Sequence, residues 1–159
     1  MADYSTTYTL TTPGGTIVFN DGQLGGGSKD NLYWIANIQG LDGPTLRVPS
    51  EDVPFGHGGI VHRSWKGPRH PILEGSLIVQ AVPFGHPGCQ AILNEMEDNL
   101  RVALDSILAP TGGTLAWTPT GQSAKSLTVF YEVALDIEPE NGYVTRSFNF
   151  GLISESADI

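Results

Sequence analysis

The chain has 159 residues, 40% of them hydrophobic, which suits one domain with a core of its own and excludes a disordered polymer. Its 17 acidic residues outweigh eight basic ones, and a net charge of −9 argues against tight DNA or RNA binding through clustered Lys and Arg. A single cysteine, Cys89, excludes an internal disulfide, and no run approaches the ~20 apolar residues of a membrane span.

The first residues, Met1 to Thr7, carry neither the basic start nor the apolar run of a secretion signal, so synthesis and assembly in the cytoplasm are expected. Tyr8 to Thr12 and Thr16 to Asn20, joined by Pro13-Gly14-Gly15, read as a β-hairpin with a tight turn. Gly25-Gly26-Gly27-Ser28 follows as a loop. It lacks the Gly-Lys-Ser/Thr ending and the following helix of a phosphate-binding loop. Leu32 to Ile38 is a strand rich in aromatic and β-branched residues, and Leu46 to Val48 a short one. Ile60 to Lys66 and Ile72 to Val82 are expected to form a second hairpin around a Pro-rich loop. In its second strand Leu73, Gly75, Leu77, Val79 and Ala81 share one face. Arg63, Lys66 and Arg69 are the nearest approach to a basic patch.

One helix is expected, from about residue 90 to 108. Ile92, Leu93, Met96, Leu100, Ala103, Leu104, Ile107 and Leu108 recur at its period, and Ala109-Pro110-Thr111-Gly112-Gly113 stops it. A helix with so broad an apolar stripe packs on a sheet. Thr114 to Thr118 is a short strand. Leu127, Val129, Tyr131, Val133, Leu135 and Ile137 then alternate along a long one, which turns at Asn141-Gly142 into a partner carrying Val144, Arg146, Phe148, Phe150 and Leu152. The fold class is α+β, mainly β: a β-sandwich or strongly curled sheet with one flanking helix and a long C-terminal hairpin.

Chemistry is sparse. The phrase Val53-Pro54-Phe55-Gly56-His57-Gly58-Gly59 returns as Val82-Pro83-Phe84-Gly85-His86-Pro87-Gly88 and holds two of the four histidines, the others being His62 and His70. A paired metal or catalytic site is one reading. Two matching turns, each with a buried Phe, is the other. No Cys pair, His-x-x-x-His or His-Glu-x-x-His supplies the remaining zinc ligands. Cys89, at the helix start and three residues after His86, reads as a packed thiol rather than a nucleophile. Glu95, Glu97 and Asp98 fall off the apolar stripe, and Asp136 and Glu138 lie on the polar face of a strand. Trp34, Trp65 and Trp117 would suit sugar stacking in a carbohydrate-binding module, or simply a core. No catalytic, cofactor-binding or metal-ligating residue is assigned, and no enzyme activity is expected.

The order of three motifs carries a resemblance. Gly40-Leu41-Asp42-Gly43-Pro44-Thr45-Leu46-Arg47, the Phe55-Gly56-His57-Gly58-Gly59 turn, and Arg69 leading into Leu73-Glu74-Gly75-Ser76-Leu77-Ile78-Val79 precede a helix and a closing hairpin. Over residues 30–153 this order resembles the N-terminal domain of siphophage distal tail proteins. The resemblance implies a tail-tube-like β-sandwich with one helix, assembled as a homohexameric ring in the tail-tip baseplate of the virion. Its partners would be copies of itself, the tail-tube protein, the tail-tip hub protein and the tape-measure protein. DNA would pass without specific binding, and no cofactor or membrane anchor is implied. A single domain over residues 1–159 is expected, without the second, carbohydrate-binding-like domain of larger relatives. The main tail-tube protein, of the same fold, is the alternative within the class. Loops 20–31 and 40–59 and the hairpin 126–137/143–153 are the expected subunit contacts, and an acidic lumen would use the negative charge.

Overall fold

The computed structural model describes residues 6–21, 31–41, 46–48, 50–52, 58–61, 65–79, 88–141 and 145–155. Among the described residues, eleven strands and one helix succeed one another as β1 (Tyr8–Thr12), β2 (Gly15–Phe19), β3 (Asn31–Gln39), β4 (Leu46–Arg47), β5 (Ser50–Asp52), β6 (Gly59–Val61), β7 (Trp65–Lys66), β8 (Ile72–Val79), α1 (Gly88–Asp105), β9 (Gly113–Trp117), β10 (Lys125–Asn141) and β11 (Thr145–Ile153). Seven of the strands close into a barrel in the order β1-β2-β3-β8-β11-β10-β9, with β9 pairing back onto β1.

Closure corrects the expected sandwich. Alternation of apolar and polar residues reports only which side of a strand is buried, and it is the same in a sandwich and a barrel. Two long-range pairings make the difference. The first half of β10 pairs with β9 from Lys125↔Trp117 to Val129↔Gly113, while the rest pairs with β11 from Phe130↔Ile153 onward. One strand thus belongs to both walls. The second pairing is the parallel join of β2 to β3, at Phe19↔Tyr33.

That join is stitched by Asn20, which sits at φ 58 and is 5% exposed. Its backbone N–H donates to the Tyr33 carbonyl (2.9 Å), its side-chain oxygen accepts from Ile35 N–H (2.8 Å), and its amide donates to the Thr6 carbonyl (3.3 Å). Asn tolerates the left-handed region better than most residues, and here its side chain replaces a missing strand neighbour.

The interior is filled by α1 and the inward faces of the strands. Cys89, Leu93, Met96, Leu100, Ala103 and Leu104 of the helix are buried, as is Ile107 beyond it, with Phe19, Phe148 and Phe150 among the opposing side chains. The helix ends at Asp105, earlier than its apolar stripe, and Leu108 is exposed. In β8 the shared face holds at Leu73, Gly75, Leu77 and Val79. In β10 strict alternation fails: register shifts follow Tyr131, Val133 and Pro139, and Val133 turns outward against Gly151. No helix among the described residues is long and apolar enough to cross a membrane.

The second expected hairpin is also corrected. β8 pairs with β3 and β11, whereas the segment before it folds back on itself, β4 against β7 and β5 against β6. The register Leu46↔Lys66 and Arg47↔Trp65 is offset by one residue from Ser50↔Val61 and Asp52↔Gly59, and the two ribbons are separate two-stranded sheets that together make up an arm. Neither pairs with a barrel strand. The physical reason is that local alternation says nothing about which distant strand is the partner.

Candidate functional site

Two surfaces stand out. The first is the outward face of the sheet β3-β8-β11-β10. Pairing sets its side chains in rows: Trp34, Ser76, Ser147 and Glu138 in one, Asn37, Glu74, Asn149 and Asp136 in the next. Both rows lack Lys and Arg and hold three carboxylates, and their β8, β11 and β10 residues line a shallow groove of about 340 Å³. Asn37 reaches the Glu74 carboxylate at 3.5 Å, and the Ser147 hydroxyl donates to the Glu138 carbonyl at 3.4 Å. Asp136 and Glu138, read from the sequence as solvated, are exposed here, and Glu74 joins them from β8. Three carboxylates on a polar, water-facing sheet create negative potential.

The face is supported from below by Gly75. A Cβ there would strike the Trp34 carbonyl and lie 2.9 Å from the Phe148 ring, so only glycine lets β3 and β8 approach this closely.

The second surface is the arm and its base. Arg69 is not part of an exposed basic patch. It is 5% exposed, its guanidinium donates to the Leu41 carbonyl at 2.7 Å, and its backbone exchanges two 2.9 Å hydrogen bonds with Ser154. Gly40, at φ 73, leaves no room for a side chain against the His70 carbonyl. The Gly40-Leu41 and Arg69 motifs, far apart in sequence, therefore meet where the chain enters and leaves the arm. A buried arginine satisfied by a backbone carbonyl fixes that base.

Other candidates disperse. His57, His62 and His86 lie outside the described residues, as do Phe55, Phe84, the Gly25-Gly26-Gly27-Ser28 loop and Arg63. His70 is exposed and pairs with Glu132 of β10 at 2.9 Å. Cys89 is fully buried. Trp117 is 7% exposed and stacks on Tyr8 at 6.4 Å, so the core consumes one of the three tryptophans. Trp34 is half-buried on the acidic face, and the Trp65 side chain lies outside the described residues. Among the described residues no three of His, Cys, Asp and Glu converge as metal ligands would.

Glu97 of the helix binds Arg146 of β11 at 2.8 Å and Arg101 at 3.0 Å, and Arg146 also donates to Gln90 at 2.8 Å. The cluster ties α1 to the acidic sheet. Tyr33, on the inner face of β3, donates its hydroxyl to the Met96 carbonyl (3.2 Å), and burial pushes its pKa up to about 12.

No protein-family model matches the chain, and no curated protein matches it in sequence. A solved structure matches it in fold. The fold is shared with SPP1 Dit. The crystal structure of SPP1 Dit is described as a paradigm of the hub adsorption apparatus in phages that infect Gram-positive bacteria. The superposition has a TM-score of 0.55 at 10% sequence identity and covers 94% of this chain. It covers 50% of SPP1 Dit, so the chain spans about half the length of that protein. At such identity the likeness is one of fold, and it meets the resemblance drawn from motif order at that level.

Proposed function

We propose that this chain is a structural protein of a phage tail: a subunit of the distal ring that joins the tail tube to the tail-tip hub and receptor-binding apparatus. The observation that carries the reading is the fold it shares with SPP1 Dit along 94% of its length. Two features of the surface support it. An acidic, cation-poor sheet face turned toward a channel repels phosphate, so DNA would slide past rather than stick. The sheet that bears this face also has two different flanks. β3 runs on past its single pairing with β2, and β10 runs on past β9, at opposite sides of the sheet. Unlike flanks meeting head to tail make a heterologous interface, the kind that closes into a ring.

The β10 flank is guarded against indiscriminate strand addition. The Leu135 N–H is occupied by the Tyr131 hydroxyl, Pro139 lacks an N–H, and bulges and acidic side chains interrupt the rest. Contacts there are made by side chains. Copies of the chain, the tube protein, the hub protein and the tape-measure protein are the partners in this reading, and the virion tail is its location.

Negative-stain microscopy with native mass measurement tests it. Hexameric rings are expected, alone or on mixing with tail-tube or hub protein. Stacked tubes would move the assignment to the tail-tube protein. A monomer that ignores every tail component and binds glycans would overturn it in favour of a carbohydrate-binding module.

A further inference from the structure

Charge is unevenly shared between the two walls of the barrel. Of the chain's 17 acidic and eight basic residues, Lys125 alone falls within residues 6–20 and 106–131, which supply β1, β2, β9 and the first part of β10. Pairing sets the outward side chains of that wall in two rows: Thr16, Thr11, Thr114 and Thr128, then Val18, Thr9, Ala116 and Ser126. Each of them is exposed or half-buried. A soluble domain carries about 25–35% charged side chains on its surface, and depletion of charge marks the centre of a protein interface.

The two ends of this wall differ. At one end Lys125 forms no ion pair among the described residues. A cleft of about 400 Å³ opens beside it, with Thr7, Thr9 and Thr118 in its lining and no carboxylate. At the other end the C-terminus of α1 is seated on the β1–β2 turn, where the Gly14 N–H donates to Ser106 Oγ at 3.0 Å. There Asp105 is exposed, the last turn of the helix has no basic residue, and Leu108 is an apolar side chain 53% exposed. Such a helix end attracts a cation. Lys125 and Val129, which pairs with Gly113 at the far end, lie about 13 Å apart along β10.

We infer that two copies of the chain pack wall to wall about a two-fold axis, with Asp105 of each beside Lys125 of the other and Leu108 of each in the other's cleft. A net charge of −9 sets two copies against each other, and on this wall they meet without like charge. Small side chains let the two sheets stack at a spacing of about 10 Å. Antiparallel stacking brings the cationic end of each wall to the acidic end of the other, so both charge pairs form together. A head-to-tail chain of copies would also join Lys125 to Asp105, but it would leave the threonine rows in water. The contact is isologous and goes beyond the ring reading: it couples two copies without closing a ring, and the acidic face lies on the other wall.

Crosslinking and charge reversal in the full-length chain test it. Lys125→Cys/Asp105→Cys should give a covalent dimer on a non-reducing gel and nothing larger, because two disulfides close the pair; the native Cys89 is buried. In sedimentation velocity Lys125→Glu, Asp105→Lys and Thr114→Glu should each weaken the pairing at least tenfold. Lys125→Glu/Asp105→Lys on one chain should restore it, and unchanged circular dichroism melting shows that the variants fold. A ladder of crosslinked species would overturn the two-fold contact in favour of a head-to-tail one. No crosslink, or a pairing that Lys125→Glu and Thr114→Glu both leave unchanged, would also overturn it while leaving the ring reading intact. A chain that gives the covalent dimer but never a ring would support the two-fold contact and remove the ring reading alone.

Discussion

At the scale of the residue, Asn20 shows what pairing alone cannot supply. The seam between β2 and β3 has one paired position, and the Asn20 side chain provides the acceptor that a strand neighbour would otherwise give to Ile35. Asn20→Ala removes that acceptor and leaves a buried N–H unpaired. A loss of about 1–3 kcal/mol in urea unfolding is expected. Tyr33 makes a second test. Its folded pKa is raised to about 12, above the ordinary value of 10.0, so the folded chain holds its proton where the unfolded chain releases it. Its contribution is fully present below pH 10, declines between pH 10 and 12, and is gone above. In Tyr33→Phe that alkaline decline should flatten, measured as Tm against pH.

At the scale of the element, the helix and the hairpin are coupled by charge as well as by apolar packing. Glu97 and Arg146 are both largely buried side chains with a 2.8 Å contact, and Gln90 supports the guanidinium. Removing Glu97 leaves the Arg146 guanidinium with Gln90 and no counter-charge, whereas removing Arg146 leaves Glu97 with Arg101 alone. Arg146→Met and Glu97→Gln should each cost about 1–3 kcal/mol, and the double variant should cost less than their sum in a thermodynamic cycle. The strand and helix residues were legible in the sequence because their periods are local: Leu73, Leu77 and Val79 on one face, Leu93, Met96 and Leu100 on another. Pairing was not. Nothing near Trp65 announces that it pairs with Arg47, nor near Val61 that it pairs with Ser50, and not with β8, and Val133 turns outward at a register shift opposite Gly151. The candidate surface was half legible. Asp136 and Glu138 were visible as a polar pair, but Glu74 joins them only through the register of β8 with β11 and β10.

At the scale of the whole molecule, charge has a definite address. The −9 of the chain is spread in sequence, yet three carboxylates share a sheet face free of Lys and Arg. If that face lines a channel, Glu74→Lys/Asp136→Lys/Glu138→Lys should convert assembled rings from DNA-inert to DNA-retaining. A gel-shift assay should show binding at 50 mM salt that fades steeply by about 200 mM, as expected for phosphate neutralisation. Equal indifference to DNA in wild-type and variant rings would place the face elsewhere.

The closure of β1 onto β9 sets a timetable. Tyr8, near the start of the chain, pairs with Trp117, so the first strand emerges long before its second neighbour is made. Contacts across such separations are slow to form, because the chain between them must be ordered first. During translation the β1–β2 hairpin must therefore wait as an open edge, exposed to wrong partners, until Gly113 to Trp117 leaves the ribosome. A stalled nascent chain ending before Gly113 should remain protease-sensitive throughout, and one extended past Ile153 and clear of the exit tunnel should become resistant.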